Sequence, residues 1–412
     1  MKAAFQAKRK TRQFVSFILC PIQISNNVAF GQVRNVLQHG RTWRKNEARG
    51  YMARIPDVTP VIADWFRRAV ARGRLRPCSR LPTRHQIARL QRASVNTVQR
   101  AMLQLEREGF IVSRGPRGTF ISEYPPATCR YGLVLAHYRS SDPRTRIDQF
   151  GFLLAREAEK LSNTSRCLVV YEGVSGHVDD PGYVRLEDDL RHFRLAGVIC
   201  VVPYFFARLP AMAICRRNGL PVVGLPAHGG FRSMMMVRPD ADKVLREGLR
   251  RLAESGARRV ALLMQEADES AIAKACRAVR HAGLETRPHW VLGLPGLARM
   301  TARRVVHLMM LGRERPDALF ITDDILVEPA TLGLVDAGVD VPAELRVLAE
   351  CNFPYPTRSH VAADRIGFSV TEILRTSLDL IDAARNGKKV PSEVYARIIH
   401  ETKQSLKAPD RK

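Results

Sequence analysis

Ser94-Val95-Asn96-Thr97-Val98-Gln99-Arg100-Ala101, running on through Met102 and Leu105 to Glu108-Gly109, is the stretch whose reading decides the fold. Ser94 can cap a helix in which Val98, Ala101, Met102 and Leu105 share one face, and Gly109 closes it. Asn96 and Arg100 then fall on the opposite face. Upstream, Thr83 follows Pro82 and can cap a second helix that carries Ile87 and Leu90 inward. Before that, Ile62, Trp65, Phe66, Ala69 and Val70 make one apolar stripe, stopped by Gly73 and Pro77. Downstream, Phe110-Ile111-Val112 and Thr119-Phe120-Ile121 are β-prone runs around Arg114-Gly115-Pro116-Arg117-Gly118, which reads as a hairpin tip. Three helices and a hairpin make a winged helix-turn-helix.

Charge singles out the same segment. The 412-residue chain carries a formal net charge of +26. Such an excess points to a polyanionic partner without specifying a fold. Between Met52 and Tyr124 stand fourteen arginines, no lysine and five carboxylates. Arginine is the better residue for planar, two-pronged contact with phosphate and guanine. A merely solvated basic face accounts for one stripe of charge, not for this density on this pattern.

After Tyr124-Pro125-Pro126-Ala127-Thr128, a linker, short β-rich runs alternate with longer amphipathic helices. The runs are 131–136, 167–171, 197–202, 221–225, 234–237, 259–264, 318–322 and 346–349. Helices such as 240–255 and 272–281 would cross over between them, which predicts parallel α/β architecture in two similar lobes. Ligands of such sheets sit beyond the carboxyl ends of the strands.

The predicted divisions are a basic N-terminal extension over 1–51, the winged helix over 52–124, a linker over 125–129, the two-lobed domain over 130–405 and a tail over 406–412. Patterned sequence starts just after Met52, so the extension reads as an upstream addition or a disordered arm. Lys8, Arg9 and Lys10 before Phe14–Cys20 imitate an export signal, but Pro21 ends that apolar run and no small-residue cleavage site follows. No apolar run reaches the roughly 20 residues of a membrane span. Eight cysteines without C-x-x-C spacing or a matching histidine pair read as reduced thiols, not as a zinc site. The expectation is a cytoplasmic protein with no metal, no cofactor and no catalytic residues.

From Val61 to Glu123 the chain resembles the gluconate-repressor (GntR) family of transcription regulators. The likeness rests on Leu81-Pro82-Thr83, the stretch 94–101, Leu105 with Glu108-Gly109-Phe110-Ile111, and Arg117-Gly118-Thr119-Phe120-Ile121. From Arg130 to Ser405 it resembles the effector domain of lactose- and galactose-type (LacI/GalR) repressors, relatives of periplasmic sugar-binding proteins. That likeness is carried by Glu254-Ser255-Gly256 with residues 258–262, by residues 315–324, by Ala337-Gly338-Val339 with Val341-Pro342, and by residues 397–402. Arg365-Ile366-Gly367 resembles the start of that family's last helix. The departures are informative. Ala271 stands where the sensor family has a sugar-gripping arginine, Cys351 where it has an aspartate, and Leu297 near its aromatic platform.

These resemblances imply an α+β winged helix-turn-helix followed by a two-lobed α/β periplasmic-binding-protein-like domain. The implied function is a sequence-specific regulator of transcription, a repressor, whose affinity for double-stranded operator DNA answers to a sugar or related small molecule. A homodimer off the membrane is expected. Candidate DNA contacts are Thr83, Arg84 and His85 at the second helix, Ser94, Asn96, Thr97, Gln99 and Arg100 on the third, and Arg117 and Gly118 at the wing tip. Asn96 and Gln99 suit adenine, and Arg100 suits guanine or phosphate. Tyr138, Asp323 and Asn352 follow predicted strands and are the candidate ligand contacts. Two rivals are a winged helix fused to a pyridoxal-phosphate-dependent enzyme-like domain and a sugar-binding transport module. The lysines after the linker lie mostly in helical or tail contexts, unlike a Schiff-base lysine, and a transport module has no use for residues 61–123.

Because all recognisable pattern begins after Met52, deleting residues 1–51 should leave specific DNA binding nearly intact. Titration of the truncated protein against cognate and scrambled duplex checks this. A large, sequence-selective loss would make the extension a reading arm.

Overall fold

The computed structural model describes residues 58–139, 148–201, 203–225, 234–265, 267–294 and 299–401. The extension 1–51, the tail 406–412 and Leu297 lie outside these residues.

Three helices open the described chain: α1 (Thr59–Ala71), α2 (Arg84–Gln91) and α3 (Val95–Arg107). Strands β1 (Ile111–Ser113) and β2 (Thr119–Ile121) follow as an antiparallel hairpin. The segment after α1 lies along it, with Leu81 N–H bonded to Thr119 O at 2.8 Å and Ile121 N–H to Ser79 O at 2.9 Å. Ile62, Phe66, Ile87, Val98, Ala101, Leu105, Phe110 and Ile121 close one small core. Two expected core residues are outside it: Trp65 is 49 % and Leu90 73 % exposed. On α1 the buried arc centres between Ile62, Ala63, Phe66 and Val70, and at 100° per residue Trp65 falls roughly 120° from that centre.

Arg67 falls inside the buried arc and is fully enclosed. Its Nε and Nη2 donate to both oxygens of Glu108, at 2.8 and 2.6 Å, and Nη1 donates to Asp64 at 2.5 Å. Glu108 ends α3, so this fork pins the end of α3 to α1. The same carboxylate accepts from Arg194 Nη2 at 3.1 Å, which also pairs with Asp188 and Asp189. The winged helix is thereby fixed to the body that follows.

That body starts with a short linker helix, α4 (Pro126–Cys129), and two six-stranded sheets. The first lobe holds β3 (Arg130–Val134), α5 (Gln149–Leu161), β4 (Cys167–Tyr171), α6 (Pro181–Arg191), β5 (Gly197–Cys200), α7 (Pro203–Arg208), α8 (Pro210–Asn218), β6 (Val222–Gly224) and β7 (Met235–Arg238). The chain then crosses into the second lobe: α9 (Ala241–Glu254), β8 (Val260–Gln265), α10 (Glu269–His281), β9 (Val291–Leu294), α11 (Arg299–Leu311), β10 (Ala318–Ile321), α12 (Val327–Asp336), β11 (Arg346–Phe353) and β12 (Asp364–Ser369). Helix α13 (Val370–Arg385) leads back to β13 (Glu393–Tyr395) on the first sheet, and β14 (Ile398–Glu401) returns to the second.

The sheet orders are β13-β7-β6-β5-β3-β4 and β14-β12-β11-β10-β8-β9, parallel throughout except for the β12–β14 pair. Residues 365–367, expected at a helix start, lie instead in β12, paired with β11; the helix begins five residues later at Val370. Alternating Ile366 and Phe368 inward explains why this run prefers a strand. Helix α13 contacts strands of both sheets, and one apolar cluster runs from Leu133 and Ile199 through Ile373 and Ile381 to Phe320 and Leu348. The loop after β11 is tied to α5, where Lys160 Nζ donates to the Tyr355 hydroxyl at 2.6 Å and that hydroxyl donates to Glu157.

Glu108→Gln keeps the shape of the Arg67 site but removes its charge. Asp64 remains as a partner, so the loss should be about 3 kcal/mol, at the low end for a broken buried pair. Burial alone would raise the Glu108 carboxyl, yet Arg67, with Arg194, holds it below the ordinary carboxylate range. Its stabilisation is therefore present above the unfolded value and lost as pH falls through the lower folded one. Urea titrations should show the two proteins differing at pH 7 and converging on strong acidification. A constant difference at all pH values would contradict this.

Candidate nucleic-acid interface and sensor cleft

The third helix is capped as its sequence implies. Ser94 Oγ accepts the Thr97 N–H at 3.0 Å and lies 2.8 Å from Thr97 Oγ1. With Val98, Ala101, Met102 and Leu105 buried, Asn96 and Arg100 stand exposed one turn apart on the outer face. Gln99 is partly exposed beside them. Thr83 and Gln86 form a reciprocal cap at the start of α2: Thr83 N–H donates to Gln86 Oε1 at 2.9 Å, and Gln86 N–H donates to Thr83 Oγ1 at 3.4 Å. Arg84 and His85 follow in the first turn with exposed side chains. The hydroxyls of Thr83 and Ser94 thus serve helix ends, and the outward groups are Arg84, His85, Asn96 and Arg100. A helix N-terminus with an exposed arginine suits phosphate, and an exposed amide and guanidinium suit base edges.

At the wing, Arg117 ends a single 3-10 turn and is exposed. Gly118 has φ +100°, and a Cβ there would meet Arg80 Nε at 3.1 Å. Its role is conformational. Two arginines not singled out from sequence organise this tip: Arg80 lies against Gly118, and the Arg114 guanidinium sits 5.1 Å from the Phe120 ring centroid. The spacing of arginines alone does not distinguish them from solvated neighbours.

In the second lobe the strand ends carry more carboxylate than the sequence reading found. Asn352 Nδ2 donates to Asp324 Oδ2 at 3.0 Å, and Asp324 N–H donates to Glu350 at 3.1 Å. The Gln265 amide, turned nitrogen-inward, donates to Asp323 at 2.6 and 3.2 Å. Buried Arg365 reaches the Thr357 carbonyl through Nη2 at 2.8 Å. Asn352, Asp324 and Glu350 are thus joined by hydrogen bonds, and Asp323 lies near enough to act on Glu350 through its charge. Tyr138 stands apart from them on the first lobe, 64 % exposed, with its ring against Gly173. Cys351, at the position of the family's aspartate, is wholly buried, and burial pushes its thiol up. Ala271 lies in the first turn of α10 with its N–H capped by Asp268 at 2.8 Å. Glu350 was missed because β11 runs to Phe353, four residues past the apolar run.

Burial, reinforced by Asp324 and Asp323, raises the Glu350 carboxyl well above its ordinary value. Folding then takes up a proton, so stability falls as pH rises above the unfolded carboxylate value toward the folded one. Glu350→Gln, which needs no proton, should match or exceed the wild type in thermal stability at pH 8. That advantage should vanish near pH 4. A variant that melts lower than wild type at pH 8 would contradict the assignment.

Residues 61–121 match the bacterial regulatory proteins of the gntR family, and residues 249–399 match a periplasmic binding protein-like domain. The HTH-type transcriptional repressor YtrA of Bacillus subtilis is 36 % identical over 79 residues, 18 % of this chain; the match spans 61 % of that repressor's length. Among solved structures, an ABC transporter periplasmic solute-binding protein from Actinobacillus succinogenes with bound D-allose covers 67 % of this chain and 98 % of its own, at 14 % identity and a TM-score of 0.53. The Escherichia coli transcriptional repressor ascG covers 68 % and 100 %, at 17 % identity and a TM-score of 0.51. The two-lobed body therefore has the fold shared by solute-binding proteins and LacI-type regulators. The chain joins a gntR-family winged helix-turn-helix to a periplasmic-binding-protein-like domain.

Proposed function

We propose that this protein regulates transcription as a repressor, binding operator DNA through its winged helix and answering to a small molecule held between its lobes. The observation that carries the reading is the outer face of α3. A capped helix in an arginine-rich domain presents Asn96 and Arg100 one turn apart, while its inner face is fully buried. The second lobe supplies the sensor. The polar cluster of Asp323, Asp324, Glu350 and Asn352 lies at the ends of β10 and β11, where ligands of parallel sheets bind. A sugar or related polyhydroxy metabolite fits such acceptors, although Ala271 and Cys351 remove two of the usual sugar contacts. Ligand alters operator affinity only as far as it binds the two states differently.

A paired winged helix needs a dimer. The outer faces of α11 and α12 present Met300, Leu308, Leu311 and Val335, each more than half exposed. Apolar side chains grouped in this way suit a second copy better than water. The operator would then be two-fold related.

Asn96→Ala and Arg100→Ala should each cost about 1–3 kcal/mol on the cognate site and much less on random DNA. Arg84→Ala should weaken both kinds of DNA alike and lower the salt slope by about one unit. Titrations on operator and scrambled duplex at several salt concentrations measure both effects. If Arg100→Ala lowers both affinities equally while Arg84→Ala relaxes sequence preference, α3 is not the reading helix.

A further inference from the structure

A cavity of about 320 Å³ lies where the winged helix, the linker and the first lobe meet. We propose that it is a second small-molecule site, distinct from the cleft between the lobes, and that it takes a monoanion with an apolar body, such as an aromatic carboxylate. Its size is at the small end of the range for ligand pockets, roughly 300–1,000 Å³.

The apolar walls come from both bodies, Leu75 and Pro77 on one side and Leu190, Phe193 and Leu195 on the other. Arg72, Arg76 and Arg385 are among its lining residues, and no aspartate or glutamate is. Against them stand the carboxyl ends of four helices, α1, α6, α8 and α13, all of which finish at this cavity. Each helix end carries about half a negative charge, about two in all against three positive, which leaves a surplus near one. One carboxylate neutralises that surplus, whereas an ammonium group would add to it.

Two features tie the cavity to the placement of the winged helix. Phe193 has φ +53°, a left-handed conformation that is costly for a bulky residue in the place after a helix where glycine is usual. Held there, its ring lies 5.5 Å from the Arg68 guanidinium of α1. Arg385, the last residue of α13, donates to the linker carbonyls of Thr128 and Ala127 at 3.0 and 3.1 Å. An anion here would draw on the guanidinium that anchors the linker. Binding to the cavity stands without the proposed function; its effect on operator affinity rests on that reading.

The test uses the full chain without DNA and three fluorinated probes of one shape: 4-(trifluoromethyl)benzoate, the corresponding benzamide and the corresponding benzylamine. Fluorine NMR titration should show saturable binding of the benzoate alone. Arg76→Gln, at an exposed residue, should weaken it about tenfold, as loss of one charge-assisted contact would. Leu75→Trp should fill the cavity and abolish binding, and Arg76→Gln keeps the test decisive if that variant does not fold. Asp323→Ala, in the cleft, should leave binding unchanged. The proposal is overturned if no probe saturates, if the amide or amine binds as well as the benzoate, or if Asp323→Ala removes binding and Arg76→Gln does not. A separate titration with operator then reads the coupling, so failure there alone bears on the regulatory reading and not on the site.

Discussion

The carboxylate of Glu108 is the point on which the arrangement of this protein depends. It ends α3, takes both prongs of a guanidinium buried inside the winged helix, and still accepts from Arg194 in the first lobe. Taking Arg67 out of water is expensive, and only a partner on each side of its fork makes that position tenable. The result is a charged joint where an apolar one would be expected. A hydrophobic contact between two domains resists separation but tolerates sliding, because it has no preferred register. Inside the winged helix the two-pronged Arg67–Glu108 pair has one geometry and sets the end of α3 against α1, while a single bond from Arg194 links the same carboxylate to the first lobe.

A second joint lies at the far end of the linker. Arg385 closes α13, and α13 begins at Val370, directly after the last parallel strand of the second lobe. One helix therefore spans from the region of the cleft to the root of the winged helix, packed on strands of both sheets. A change in the angle between the lobes has a rigid element through which to act. The acidic floor of the second lobe and the basic junction cavity sit toward opposite ends of that path. Charge of opposite sign distinguishes the two places.

Much of this was legible from the sequence. The winged helix was, because its signals are local: caps at Thr83 and Ser94, a glycine stop at Gly109, and an apolar face that a period of 3.6 residues reveals. The alternation of strands and helices in the body was legible for the same reason. What escaped depends on distance along the chain. Trp65 and Leu90 lie at the edges of apolar stripes, and a stripe's edge is buried or bare according to what packs beside it. Glu350 and Asp324 are neighbours only because β10 and β11 pair, 26 residues apart. Arg194 meets Glu108 across 86 residues, and no local pattern marks either as a partner of the other. Asp323 follows β10 as expected, whereas Asn352, expected after a strand, lies within β11, and Tyr138, chosen by the same rule, stands apart on the first lobe.

The central claim is that this chain reads particular DNA sequences. The most direct measurement incubates purified full-length protein with fragmented genomic DNA from its own host at physiological salt, recovers the bound fragments and sequences them. The account predicts enrichment of a few fragments that share one two-fold-related motif. Uniform recovery across the genome, lost on modest addition of salt, would contradict it and leave only a basic protein that holds DNA by charge.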